Sequence, residues 1–367
     1  MIDEERMPAG LLGDGGTLDK SCNRSSVGEH VDGAEHERSG GNTMKRLAFV
    51  LLAFCGALLG APVHAQSYPN KPITIVLPFA AGGPTDVIGR ILARDMTKLL
   101  KQQVLIENAT GAGGTLATGK VARAAPDGYT LLLHHNGMST SPALYRKLTF
   151  DPLTDFEYVG LVADVPMTIV ARPNFPPNTL PELLTYIREN RTKLTMGNAG
   201  LGAVSHQCGM LFLSTLKTEM TTVPYRGTGP AMNDLVGGQI DLLCDQTTQT
   251  TSYIRSGKVK VYGVTTRERV ASLPDIPTLQ EQGLAGFEMA VWHGIYAPKG
   301  TPPAVINRLS EALGEALRSP DVRARFADLG AEPVAPDQVR PEALRAHLKA
   351  EIEKWGPIIR AAGVYAE

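Results

Sequence analysis

An excess of charge of either sign is the first thing this chain lacks: 36 Lys and Arg stand against 37 Asp and Glu in 367 residues. That balance excludes a strongly basic groove as the main feature, and with it nucleic-acid binding as the leading function. Aromatic residues are scarce at 6%, whereas glycine (38) and proline (26) are plentiful, so many tight turns between short elements are expected. The apolar run Leu47–Leu59 is shorter than the roughly 20 residues of a membrane span, and no later segment is longer or more apolar. Neither G-x-G-x-x-G nor G-x-x-x-x-G-K-[ST] follows a strand-like segment, which argues against a nucleotide site. C-x-x-C, H-x-x-x-H and the nucleophile elbow are absent too, so no metal, no cofactor and no catalytic residue is expected.

The first 43 residues hold nine acidic and four basic side chains and no apolar period. Then Met44-Lys45-Arg46, the run Leu47–Leu59 and Val63-His64-Ala65 follow as a basic, an apolar and a small-x-small segment. This order predicts a signal peptide over 44–65, cleaved near Ala65, and an exported protein. Residues 1–43 are then an upstream mis-start or a disordered leader. Beyond the signal only Cys208 and Cys244 remain of the four cysteines. Export makes a disulfide chemically possible, but a pair of buried free thiols is the expectation and one bridge the alternative.

The rest of the chain alternates short β-rich runs with helical periods, the pattern of α/β layers. Pro72–Pro78 reads as a strand, followed by the turn Phe79–Gly83 and a helix opened by Pro84 with the stripe Ile88, Ile91, Leu92, Met96 and Leu99. Further strands are expected at 103–107, 129–133, 194–197, 222–224, 239–244, 259–265 and 287–297, and helices at 180–190, 203–216, 302–318, 321–329 and 341–361. The recurrence of strand, glycine turn and helix in two blocks predicts two α/β lobes. Lobe 1 is expected over 66–170 with 291–367 and lobe 2 over 171–290, with crossings near 165–175 and 285–297.

Glycine turns stand directly ahead of helices at 79–86, 198–206 and 225–231, and a fourth lies at 108–114. Glycine lets backbone approach a ligand closely, and the first helical turn offers unpaired N–H groups with partial positive charge. Such a turn is an anion site, and in α/β sheets it lies at the strand ends where ligands bind. Two lobes facing each other would bring these turns to one cleft, where a small carboxylate is held with few contacts from Arg or Lys.

At this level the chain resembles the substrate-binding proteins of tripartite tricarboxylate transporters, the Bug or TctC-like receptors. The likeness rests on PNKPITIVLPFAAGGPTDVIGR (69–90), ENATGAGG (107–114), AAPDGYTLLL (124–133), VPYRGTGPAMNDLVGGQIDLL (223–243), HGIYAPKGTP (293–302) and EIEKWGPIIRAAG (351–363), in family order. The resemblance implies two lobes of periplasmic binding protein type II-like topology, with a ligand cleft between them and two crossings. It also implies capture of a small carboxylate or amino-acid-like ligand for a permease of one large and one small integral membrane subunit. Carried onto this chain, the family's first carboxylate-binding turn falls on Phe79, Ala80, Gly82, Gly83, Thr85 and Asp86. The opposing turn falls on Asn198, Ala199, Gly200 and Gly202, with Ser205 and His206 following, and the third on Tyr225, Arg226, Gly227 and Thr228. This chain departs from the usual family pattern at Ala109-Thr110, His134–Asn136, Arg226 and Cys244-Asp245.

Several residues admit two readings. Asp86 meets a ligand amine or hydroxyl, or bonds the first N–H groups of its own helix. Asp245 is a second polar cleft group or a strand-end turn residue. Of His134 and His135 only one can face the cleft, because adjacent strand residues point opposite ways. His134 and Asn136 are taken as the cleft-facing candidates. His206 donates to an anion or only packs, and Arg226 pairs with an acidic ligand or stays a solvated loop residue. Ser205 beside His206 lacks the geometry of a nucleophile and its base. A solute receptor is therefore the leading function. A ligand-gated sensory protein of the same fold is the alternative, and an enzyme acting on a small acid comes last.

Overall fold

The computed structural model describes residues 68–363 and 365. The expected leader and signal peptide, 1–43 and 44–65, lie outside the described residues.

The β-branched run Ile73–Leu77 forms β1, which pairs in parallel with β2 (Val104–Asn108) on one side and β3 (Thr130–His135) on the other. Between β1 and β2 runs α1 (Pro84–Leu100), with Pro84 at its first turn and Ile88, Leu92 and Met96 buried along one face. Proline starts a helix without loss because its missing N–H has no intrahelical partner there. A 3₁₀ turn at Ala112–Gly114 leads into α2 (Thr115–Ala122), and α3 (Gly137–Leu144) follows β3.

The longest strand is β4 (Phe156–Ala171), which the sequence pattern did not reveal. It serves two sets of partners. Phe156–Pro166 pairs antiparallel with β9 (Ala290–Pro298), which also pairs antiparallel with β3. Met167–Ala171 instead pairs with β7 (Leu242–Gln246) and β8 (Lys260–Val264). Beyond β7 lie β5 (Thr195–Asn198) and β6 (Thr221–Pro224), both parallel. The first lobe is thus built on β2-β1-β3-β9-β4 and the second on β8-β4-β7-β5-β6, with β4 passing between them near Pro166. The chain returns beside it, where Thr265 N–H donates to Met167 O and Met289 N–H donates to Thr265 O. Two α/β lobes joined by two adjacent crossings are the type II binding-protein arrangement.

The second lobe adds α4 (Leu180–Asn190), α5 (Val204–Thr215), α6 (Thr228–Val236) and α7 (Thr247–Arg255). After β9 come α8 (Pro303–Arg318), α9 (Pro320–Asp328), the short β10 (Glu332–Pro333) and α10 (Pro341–Ala362). Helix α8 packs on α1, while α10 packs on α3 and β4, so the C-terminal helices cover the sheet of the first lobe. Among the described residues no helix is long and apolar enough to cross a membrane.

The expectation of free thiols is corrected. Cys208 of α5 and Cys244 of β7 form a disulfide, with Cα atoms 6.1 Å apart. Helix α5 lies across the sheet and brings the two side chains together, a neighbourhood that 36 residues of separation do not reveal in sequence. Closing a loop of that length contributes roughly 3–4 kcal/mol in the chain-entropy picture. Reduction is therefore expected to lower the thermal midpoint by several degrees, read by calorimetry with and without dithiothreitol. An unchanged midpoint would reject the contribution.

Candidate functional site

Four helices start at one place between the lobes. The first residues of α1 (Pro84, Thr85), α5 (Val204, Ser205) and α6 (Thr228), together with Gln246 at the head of α7, line one enclosed cavity. Phe79, His135, Ala199, Ala203 and Asp245 complete its wall. Room for the centres of water molecules amounts to about 20 Å³, enough for a group of water size. Each helix start carries unpaired N–H groups and the positive end of a peptide dipole. Their convergence makes a field suited to an anion, and no Lys or Arg takes part in the lining.

The lobes touch around this chamber. Ala80 N–H donates to Arg226 O across the cleft at 3.0 Å. At Gly227, with φ +153, a Cβ would stand 2.8 Å from Ala80 N, so only glycine permits this approach. Gln207 of α5 donates to the Thr140 hydroxyl of α3 at 3.0 Å. Tyr145, at the end of α3, places its hydroxyl 2.8 Å from both Ala112 O and Leu201 O. Outside the chamber, and sharing Ala199 with it, a groove of about 710 Å³ is lined by Gly111–Gly114, Tyr145, Gly200, Tyr225 and Arg226, among others.

The expected site residues fall into three groups. Phe79, Thr85, Ala199, Ser205, Thr228 and Asp245 lie on the chamber wall. Gly200, Tyr225 and Arg226 line the outer groove. Arg226 is exposed, and its guanidinium makes no hydrogen bond or ion pair among the described residues. Tyr225 donates its hydroxyl to Asp234 at 2.7 Å. The others lie behind these surfaces. Ala80 and Gly83 form the lobe contact, where Gly83 N–H donates to Ala80 O. Asn198 accepts from Gly200 N–H at 2.9 Å and shapes the turn. Gly202 accepts from Gln207 at 2.8 Å. His206 is half-buried with Nδ1 unpartnered, and burial lowers its pKa. Ser205 Oγ accepts from Ala199 N–H at 2.8 Å, so the Ser205–His206 neighbours form no nucleophile–base pair.

Three placements differ from expectation. Asp86 is absent from the lining: its carboxylate accepts from Gly82 N–H (3.0 Å), Arg90 (2.8 Å) and Asn108 (3.0 Å). Burial raises its pKa, but the bonds from Arg90, Gly82 and Asn108 outweigh that and hold it below the usual value. His134 turns away from the chamber and packs edge-on to Phe79, while His135 faces the chamber and stacks on Phe79 with centroids 4.6 Å apart. Pleat alternation allows only one of them on that wall. His135 Nδ1 accepts from Gly137 N–H at 3.1 Å, which assigns the ring proton of the neutral imidazole to Nε2. Asn136 bonds β9 instead, donating to Ala290 O and accepting from Trp292 N–H at 3.1 Å.

Asp245 stands apart electrostatically. It is 1% exposed, and neither carboxylate oxygen has a partner in hydrogen-bond geometry. Burial lifts its pKa to about 7, opposed only in part by the Gln246 N–H and the Thr228 hydroxyl. The Thr228 hydroxyl donates instead to Gln249 at 3.0 Å. Sequence reasoning missed His135, Val204 and Gln246. Gln246 was the recoverable one, since it repeats the strand-end, helix-start logic of the other turns. Among the described residues no cluster of His, Cys, Asp or Glu is arranged to hold a metal ion.

Comparison with known proteins agrees with this fold. The family model described as "Tripartite tricarboxylate transporter family receptor" matches residues 88–364. A UPF0065 protein from the TAR-I ttuE-ttuC' intergenic region of Agrobacterium vitis is 49% identical over 316 residues, covering 86% of this chain and 91% of the relative. The structure of the periplasmic binding protein BugD is similar at a TM-score of 0.80 and 50% identity, covering 82% of this chain and all (100%) of that one. MatC from Rhodopseudomonas palustris with bound malate is similar at a TM-score of 0.77 and 42% identity, covering 80% of this chain and 100% of that one.

Proposed function

The chain belongs to the tripartite tricarboxylate transporter receptor family of periplasmic solute-binding proteins, and on that premise we propose that it captures a small organic carboxylate between its lobes for a membrane permease. The observation that carries this reading is the convergence of four helix starts on one chamber with no cationic side chain in its wall. Backbone N–H groups in the first helical turns, at Thr85, Val204, Ser205 and Thr228, would hold the carboxylate, and the outer groove the remainder of the molecule. A protein solved with malate at 42% identity supports the ligand class. The receptor would work in the periplasm after cleavage near Ala65 and deliver to one large and one small integral subunit. The cleft would divide lobe 1, 66–170 with 291–367, from lobe 2, 171–290. Similarity to solute-binding proteins favours binding over turnover.

The affinity required is reachable. Micromolar binding needs about 8 kcal/mol, and each charge-assisted hydrogen bond contributes roughly 1.5–3 kcal/mol. A thermal-shift screen of C3–C10 mono-, di- and tricarboxylates and amino acids tests the proposal. A true ligand at a hundredfold excess over Kd is expected to stabilise the protein by about 2.7 kcal/mol. Absence of any shift across the whole panel, with native mass spectrometry finding no retained acid, would overturn it.

A further inference from the structure

We propose that Asp245 selects ligands bearing a hydrogen-bond donor, an ammonium or a hydroxyl, beside the carboxylate that the helix starts hold. This deepens the proposed function and rests on it. Asp245 lacks a protein partner. Its two oxygens are buried at the end of β7, and they look into the chamber. A buried carboxylate left unpaired costs several kcal/mol unless it is neutralised or met by a donor. Among the described residues the wall offers no cation to meet it: it holds no Lys or Arg, and Arg226 lines the outer groove. The missing partner must then come from the ligand or from solvent.

The groups facing Asp245 from each neighbouring element are few. They are His135 from β3, Thr85 from α1, Ser205 from α5, Thr228 from α6 and the Gln246 backbone. Thr228 gives its proton to Gln249; Ser205, whose Oγ accepts from Ala199 N–H, and His135 keep protons of their own, but neither reaches an Asp245 oxygen in hydrogen-bond geometry. His135 stays neutral, because burial lowers its pKa well below the ordinary value. Asp245 is also held in place: its neighbour Cys244 faces the opposite side of the strand and is bridged to α5, whose first turn forms another part of the wall. The chamber, with room for about one water-sized group, shares Ala199 with a groove large enough for the rest of a ligand. Positive helix ends with a single embedded carboxylate match a zwitterionic or hydroxylated head, not a plain carboxylate.

Asp86, the other acid considered for this role, cannot play it, because its oxygens are occupied by Arg90, Gly82 and Asn108.

Three matched series test the assignment by calorimetry on the full protein. Each varies only the α substituent: propionate, lactate and alanine; succinate, malate and aspartate; glutarate, 2-hydroxyglutarate and glutamate. In the series that fits best, the donor-bearing ligands are expected to bind at least about tenfold tighter than the plain acid. The amino and hydroxy arms identify which donor is used. In Asp245→Leu the gap is expected to collapse to within about threefold, with Asp245→Asn in between. The wild-type arm needs no variant: an amino ligand displaces the proton on Asp245, so binding near pH 7 releases protons, read in buffers of different ionisation enthalpy. A plain acid bound equally well, a gap unchanged in Asp245→Leu, or proton uptake with every ligand would overturn the proposal. Failure of every series to bind, together with no shift across the C3–C10 panel, would instead overturn carboxylate capture itself.

Discussion

Taken from pH 7 to pH 5, the protein is expected to lose about 3 kcal/mol of stability in all, with a slope that steepens as the pH falls. The cause is a group of histidines buried as neutral rings around Phe79 and the β3–β9 pairing. His134, His135 and His293 are each at most 3% exposed, and the His135 ring lies 4.9 Å from His134 and 6.0 Å from His293 by centroid. Desolvation lowers His134 and His293 to about 3, with the neighbouring His293 adding to the shift of His134. His135 is lowered well below the ordinary value, again chiefly by burial. The unfolded chain protonates all three below about 6.5, whereas the folded chain leaves them neutral. A histidine with a depressed folded-state pKa adds stability that is complete above the unfolded value and is lost as pH falls toward the folded one. Each such group therefore contributes a slope of about 1.4 kcal/mol per pH unit.

Asp245 works in the opposite direction. Its folded-state pKa is raised to about 7, so it binds its proton in the folded state first, and its contribution grows as pH falls from 7 toward 3.8. Three histidine protons less one aspartate proton leave a net of two near pH 5, a local slope of about 2.7 kcal/mol per pH unit, which shrinks toward zero near pH 7, where the unfolded rings are mostly unprotonated. His206 and His347, both lowered by burial, steepen it further. Urea titrations at pH 7, 6 and 5 measure this directly. Stability constant to within 1 kcal/mol per pH unit, an order-of-magnitude allowance, would mean that the rings accept protons without unfolding.

Much of the fold was legible because local chemistry and global position agree. Pro84 with Ile88, Leu92 and Met96 announces α1, and Leu180–Asn190 appears as a helix with the bounds the sequence suggests. Where they disagree the sequence was silent. Strand β4 carries Asp164 and Pro166 in its middle, which reads as a break but marks the place where the strand changes partners between lobes. Helix α7 begins TTQTT, and α3 contains Pro142; threonine and proline argue against helices, and packing against the sheets decides otherwise. The candidate site was legible as a set of turns, since glycine before a helix start is a local signal. Which side chains face inward was not. His134 and His135 differ only by pleat parity, and Asp86 and Asp245 differ only in what surrounds their carboxylates, both of which depend on distant elements.

Replacing Gly113 by alanine is expected to weaken ligand binding by roughly 150-fold while leaving the lobes folded. Gly113 sits at φ +59 in the turn Ala112–Gly114 of the first lobe, and a Cβ there would overlap the carbonyl of Leu201 in the second lobe and crowd the Tyr145 hydroxyl. The backbone strain of alanine in this conformation, about 1 kcal/mol, is present whether the lobes are apart or together. The overlap exists only when they are together. It therefore acts on closure, and a receptor that holds its ligand by closing binds in proportion to the closed fraction. A penalty of about 3 kcal/mol on closure gives the stated loss. Gly257→Ala is the matched control, because Gly257 has φ +66 but open space around it, so the strain is alike and no lobe contact is made. Calorimetry should show weak binding for Gly113→Ala alone. Small-angle scattering should show its radius of gyration staying at the unliganded, larger value when a carboxylate compacts the wild type. Wild-type affinity in Gly113→Ala would mean that the contact between Gly113 and Leu201 yields without cost and that ligand capture does not depend on it.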